Sequence, residues 1–101
     1  MLETYHNLTR NTKQRIIMSK PTRDTELAAL GRALRALRDQ AGITQEELAV
    51  RLQMDPTYVS RIERGRRGIQ WLTVQRFLRA LDADLHQLAD ALYAQERPAK
   101  N

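Results

Sequence analysis

Between residues 45 and 67 the chain places side chains that share one chemistry, hydrogen bonding to a polar or anionic partner. They are Gln45, then Thr57, Tyr58, Ser60, Arg61 and Arg64, then Arg66 and Arg67. A guanidinium donates in a fork to anionic oxygens, an amide donates and accepts, and a hydroxyl does both. Other chemistries find few parts. With no Cys there is no disulfide, no thiolate metal site and no thiol nucleophile. His6 lies in a polar opening segment and His86 in an acidic, mostly polar stretch, so no metal is expected. Glu46 and Glu47 resemble a catalytic carboxylate pair, yet a capping box accounts for Glu47 and the helix dipole for Glu46. Four Gly and one Phe leave little for a nucleotide loop or a cofactor pocket. No cofactor, no small-molecule ligand and no enzymatic activity are expected.

The charge points the same way. Seventeen Lys and Arg against twelve Asp and Glu give +5, which favours a polyanionic partner. The balance is uneven along the chain. Residues 1–24 carry five basic and two acidic side chains, whereas residues 25–94 are nearly neutral, with ten and nine. That neutrality is a cancellation between two poles. Arg51, Arg61, Arg64, Arg66 and Arg67 make one basic, and Asp82, Asp84 and Asp90 make the other acidic.

The elements that position these residues read as helices. Residues 1–24 hold no sustained apolar stripe and are expected to be a flexible basic arm. Within it, Met18-Ser19-Lys20-Pro21 also reads as an alternative start of translation. From Thr25, Leu27, Leu30, Leu34, Leu37 and Ala41 fall on one helical face, and Gly42 supplies a left-handed stop. Thr44 and Glu47 form the capping box of a second helix with Leu48, Ala49 and Leu52 inward. Asp55-Pro56 opens a third, with Val59 and Ile62 inward and Gly65 as its stop. A loop from Arg66 to Gln70 leads to a fourth, whose stripe is Trp71, Val74, Phe77, Leu78 and Leu81. That stripe assigns Trp71 to the core. Asp84 caps a fifth, from Leu85 to about Tyr93, with Leu85, Leu88, Ala89 and Leu92 on one side. No segment alternates with period two, so no strand is predicted. An all-α chain of five short helices in a compact orthogonal bundle follows, over residues 25–94, with residues 95–101 as a flexible tail.

The stretch from Gln45 to Arg64 has the packing demands of two helices meeting at a steep angle through a short turn. Ala49 is the small residue at the crossing, Met54 fills the turn, and Thr57, Tyr58, Ser60, Arg61 and Arg64 are left to face outward. Here the sequence resembles the Cro/repressor-like, XRE-class helix-turn-helix family of bacterial and phage transcriptional regulators. Ile43-Thr44-Gln45-Glu46-Glu47-Leu48-Ala49 and Tyr58-Val59-Ser60-Arg61-Ile62-Glu63-Arg64-Gly65 carry the resemblance, which extends over roughly Leu27 to Leu92. It implies a lambda-repressor-like bundle whose helix 56–64 enters the major groove of double-stranded DNA. Thr57 and Arg61 then meet base edges. Gln45 contacts a phosphate or a base, Tyr58, Ser60 and Arg64 position the backbone, and Arg66 and Arg67 grip phosphates. The resemblance also implies a largely buried Arg38–Glu63 ion pair between the first and third helices.

Departures from the pattern are informative. Gln53 stands at a corner usually held by Gly, where a left-handed conformation costs about 1 kcal/mol or more. Asp82 replaces a helix-ending Gly, Ile69 and Gln70 replace a Pro and a Ser cap, and Pro56 removes one candidate contact from the reading helix.

One short helix reads few base pairs, so a homodimer on an inverted-repeat operator is expected, with Leu85, Leu88, Leu92 and Tyr93 as its surface. The expected protein is a cytoplasmic sequence-specific regulator, acting as a repressor, without a membrane span. The competing reading is an antitoxin-type interaction module whose first 24 residues neutralise a toxin. Leu2, Tyr5, Leu8, Ile16 and Ile17 are the only apolar anchors there.

Overall fold

Four of the five helices open on a side-chain cap, and the caps set where each helix begins. The computed structural model describes residues 22–96, the side chain of Glu96 excepted. It contains α1 (Arg23–Ala41), α2 (Gln45–Leu52), α3 (Pro56–Glu63), α4 (Trp71–Ala80) and α5 (Leu85–Glu96), with no strand among the described residues. The Thr44 hydroxyl accepts from the Glu47 amide at 3.0 Å, and the Glu47 carboxylate accepts from the Thr44 amide at 2.8 Å. Asp84 and Gln87 make the same reciprocal pair at the start of α5, at 2.9 Å each way. Asp55 accepts from the Thr57 amide at 2.8 Å, with Pro56 at the first helical position. α4 begins after Gln70 with no side-chain cap.

The first boundary differs from the sequence expectation. Thr22 and Thr25 form a capping box of their own, so α1 starts at Arg23, inside the segment expected to be an arm. α5 likewise runs on to Glu96, past its expected end near Tyr93. The remainder of the arm, with His6 and Met18, and residues 97–101 lie outside the described residues.

The core is drawn from every helix: Leu34 and Leu37 of α1, Leu48 and Leu52 of α2, Val59 and Ile62 of α3, Phe77 and Leu78 of α4, and Leu88 of α5. Burying each such side chain contributes about 1.5–3 kcal/mol against the entropy of ordering the chain. Three expectations fail here. Ala41, the last residue of α1, is exposed, as is Ala89 of α5. Trp71 is not core: it is 55% exposed. Ile69 packs against the core just before α4 begins, and the indole lies along a surface groove with Leu78 and Leu85 instead. The fourth-helix stripe therefore starts one turn later, at Val74.

The left-handed stops fall where the sequence puts them. Gly42 has φ 74°, and the non-glycine residues Gln53 and Asp82 adopt φ 57° and 54°. Both tolerate a conformation that an L-residue adopts at a cost of about 1–2 kcal/mol. No helix among the described residues is long and apolar enough to cross a membrane.

Candidate nucleic-acid interface

α3 divides cleanly by helical period. Val59, Ile62 and Glu63 are buried, whereas Thr57, Arg61 and Arg64 are exposed and Ser60 is half-buried between them. Residues 57, 60, 61 and 64 stand at i, i+3, i+4 and i+7, so they share the outward face. What holds the inner face in place is a close backbone crossing. A Cβ on Gly31 of α1 would meet the carbonyl oxygens of Ile62 and Glu63, the latter at 2.5 Å. A Cβ on Gly65 would stand 2.6 Å from Ala28 Cα, and Gly65 also has φ 71°. Both glycines let α3 and the residue after it sit directly on the α1 backbone.

The buried ion pair implied by the resemblance is present at this crossing. Arg38 donates through Nε to Glu63 Oε2 at 2.6 Å and through Nη2 to Glu63 Oε1 at 3.0 Å, a bidentate fork. A third donor, Nη1, reaches the Ile43 carbonyl at 2.8 Å. The hydrogen bond to Glu63 raises the Arg38 pKa above its ordinary value, against the opposing effect of burial.

Gln45, the first residue of α2, joins this network. Its Nε2 donates to Glu63 Oε1 at 2.9 Å, and the residue is half-buried. Sequence reasoning treats Gln45 as a free contact, whereas one of its amide N–H groups is turned inward. The second N–H and the carbonyl oxygen remain for an outside partner.

The other expected contacts gather on one side. Arg61, Arg64, Arg66 and Arg67 are exposed, and none forms an ion pair with another described residue. The Arg67 guanidinium lies 4.7 Å from the centre of the Tyr58 ring. This cation–π contact ties the loop after α3 to the helix itself. Tyr58 is half-buried and packs against the core, so its ring belongs partly to the fold. Four guanidiniums and a Thr hydroxyl on α3 and the loop after it, with their acidic counterparts on α5 and the preceding corner, can bind a polyanion and donate to base edges.

Arg51, counted by sequence in the basic pole, does something else. Its Nη1 donates to the Ala80 carbonyl at the end of α4 at 2.9 Å, and Arg76 of α4 donates to the Leu52 carbonyl at the end of α2 at 3.1 Å. Each helix caps the other's C-terminus. No local signal announces these pairs, since the partners are 29 and 24 residues apart. Gly31 did carry one: an isolated Gly inside a helical pattern marks a close packing contact.

The comparisons with known proteins agree with this geometry. Residues 29–92 match the family model described as a helix-turn-helix domain. Among solved structures, the chain is similar to the clp gene regulator ClgR from C. glutamicum, at 30% identity over 76% of this chain and 95% of that one, with a TM-score of 0.67. The restriction-modification controller protein C.AhdI from Aeromonas hydrophila matches at 35% identity over 62% of this chain and 96% of its own, TM-score 0.59. A third, the controller protein C.Esp1396I, was solved as a tetramer in complex with its natural 35 base-pair operator. It is 26% identical over 68% of this chain and 91% of its own, TM-score 0.63. No curated protein sequence matches.

Proposed function

The chain belongs to the helix-turn-helix domain family, and from that premise we propose that it is a transcriptional regulator, acting as a repressor, that reads double-stranded DNA with α3 in the major groove. One observation carries the reading. α3 presents Thr57, Ser60, Arg61 and Arg64 outward from a backbone locked against α1 at Gly31 and by the Arg38–Glu63 fork. Donors held this rigidly meet base edges without a large ordering cost.

The roles divide by chemistry. Thr57 and Arg61, on the first two turns, meet base edges, and loss of an Arg–guanine pair costs about 1–3 kcal/mol at that base pair. Gln45 holds a phosphate through its remaining amide groups, and its inward N–H fixes their direction. Tyr58, Ser60 and Arg64 position the DNA backbone, and Arg66 and Arg67 hold phosphates beside it. Residues 22–96 form the DNA-binding unit, with a basic arm before it and a short tail after it. The protein acts in the cytoplasm by binding alone, with no reaction of its own.

Partner and operator follow from size. An eight-residue helix covers too few base pairs for a unique site, so two copies bind an inverted repeat about 34–36 Å from centre to centre. The dimer surface differs from the sequence expectation, because Leu88 is buried in the monomer core. Of the expected residues Leu85 and Tyr93 remain, at 54% and 69% exposed, and Trp71, 55% exposed, lines one groove with Leu85 at the α4–α5 corner. Exposed apolar groups clustered in this way mark an association surface. C.Esp1396I, which binds its operator as a tetramer, supports assembly on DNA.

Selection of bound sequences from random duplexes, with sedimentation of the best complex, tests the proposal. It expects a two-fold symmetric consensus with half-sites about one helical turn apart, bound by two copies. A monomer protecting one half-site, or no enrichment of any sequence, overturns it.

A further inference from the structure

We propose that the groove between α2 and α4 is a phosphate-binding site, built by Arg51, Arg76 and Arg79 and separate from the reading face of α3. The groove has room for about 210 Å³ and is lined by these three arginines with Leu52 and Ala80. No carboxylate lines it. Three guanidiniums therefore line one groove with no acidic side chain in its wall to balance them.

Two of the three are already held in place. Arg51 is pinned by the Ala80 carbonyl at 2.9 Å and Arg76 by the Leu52 carbonyl at 3.1 Å. A guanidinium has five N–H donors, so each cap leaves four that point elsewhere. Pinning removes much of the rotamer entropy that a loose surface Arg loses on binding. The two helix C-termini contribute only about half a negative charge each, so the groove stays net positive. Arg79 is exposed, and its side chain makes no hydrogen bond or ion pair with another described residue. A tetrahedral oxyanion with several acceptor oxygens fits three forks better than a halide or a single carboxylate does. The phosphoryl group comes either from a free phosphorylated ligand or from the DNA backbone. In both cases it bridges α2, which leads into the reading helix, to α4, which carries the exposed Trp71.

The test uses the full chain and inorganic phosphate. Thermal unfolding is compared in sodium phosphate and in sodium chloride of equal ionic strength, with NMR of the Arg side-chain Nε–H groups. The expected result is a higher Tm in phosphate and shifted resonances for Arg51, Arg76 and Arg79. Arg79→Gln, which removes no cap, abolishes both responses, whereas Arg66→Gln leaves them in place. A response no larger than that to chloride overturns the site, as does one that survives Arg79→Gln. Given the response, DNA binding assigns the source. Arg79→Gln lowers the slope of log K against log[salt] by about 0.9 for a DNA phosphate, and leaves it unchanged for a free phosphorylated ligand.

Discussion

The α1–α3 crossing and the α4–α5 corner are built on opposite terms. At the crossing, backbones approach until only Gly31 and Gly65 fit, and Arg38, Glu63 and Gln45 satisfy one another in a buried network. At the corner, Trp71 and Leu85 line an open groove of about 380 Å³, Asp82 turns the chain in a left-handed conformation, and acidic side chains stand exposed. The first region has one arrangement and holds the outward face of α3 still. The second leaves apolar area uncovered, as a surface that awaits a partner does. A small bundle can thus separate the rigidity that recognition requires from the surface that assembly requires.

The sharpest way to break this contrast is to strand a charge in the closed region. Glu63→Ala leaves the Arg38 guanidinium buried without its carboxylate and should lower the unfolding free energy by about 3–5 kcal/mol, measured by urea denaturation. A loss below about 1 kcal/mol would mean that the crossing is not held by this pair.

The corner should respond in the opposite sense. Trp71→Ala should weaken self-association by about 2 kcal/mol, roughly thirtyfold, in sedimentation equilibrium. Monomer stability should change by less than about 1 kcal/mol, because most of the ring is already in water. A folded variant destabilised by more than about 2 kcal/mol with unchanged association would reverse the assignment of the two regions.

Between these regions lies the turn from α2 to α3, whose strain is local. Gln53→Gly should raise stability by up to about 1 kcal/mol. It relieves a left-handed conformation worth about 1–2 kcal/mol, offset by glycine's larger chain entropy. That corresponds to a few degrees in Tm for a domain of this size. A loss of about 0.5–1 kcal/mol, the entropic cost of glycine alone, would show that the corner is not strained at φ 57°.

What sequence could foretell divides along the same line. The helices were legible because their signals are local: Thr44 with Glu47, Asp55 with Pro56, Asp84 at the start of α5, and Gly42 after α1 each set a boundary within a few residues. The outward face of α3 was legible too, since Val59 and Ile62 point inward by period and leave Thr57, Arg61 and Arg64 on the other side. Local signals failed where distant residues decide the outcome. Trp71 sits on the helical stripe by spacing, yet the start of α4 and the packing of Ile69 leave its ring outside. Leu88 fits a dimer stripe on a helical wheel, but α5 packs against α1 and buries it. The inward turn of Gln45 and the reciprocal caps of Arg51 and Arg76 join residues 18 to 29 positions apart, beyond any periodic pattern. Thr22 was overlooked for a different reason. Its partner is Thr25, not the Glu or Gln usually found in a capping box.

The central claim is that α3 reads base edges while the loop behind it holds only phosphate. Competition binding of Arg61→Ala and Arg66→Ala to duplexes varied one base pair at a time tests it most directly. The account predicts that Arg61→Ala flattens the preference at a single base-pair position and keeps the rest of the profile. Arg66→Ala should lower affinity equally on every duplex and reduce the salt slope by about 0.9. Uniform losses for both variants would contradict it, because α3 would then be a phosphate clamp with no part in sequence recognition.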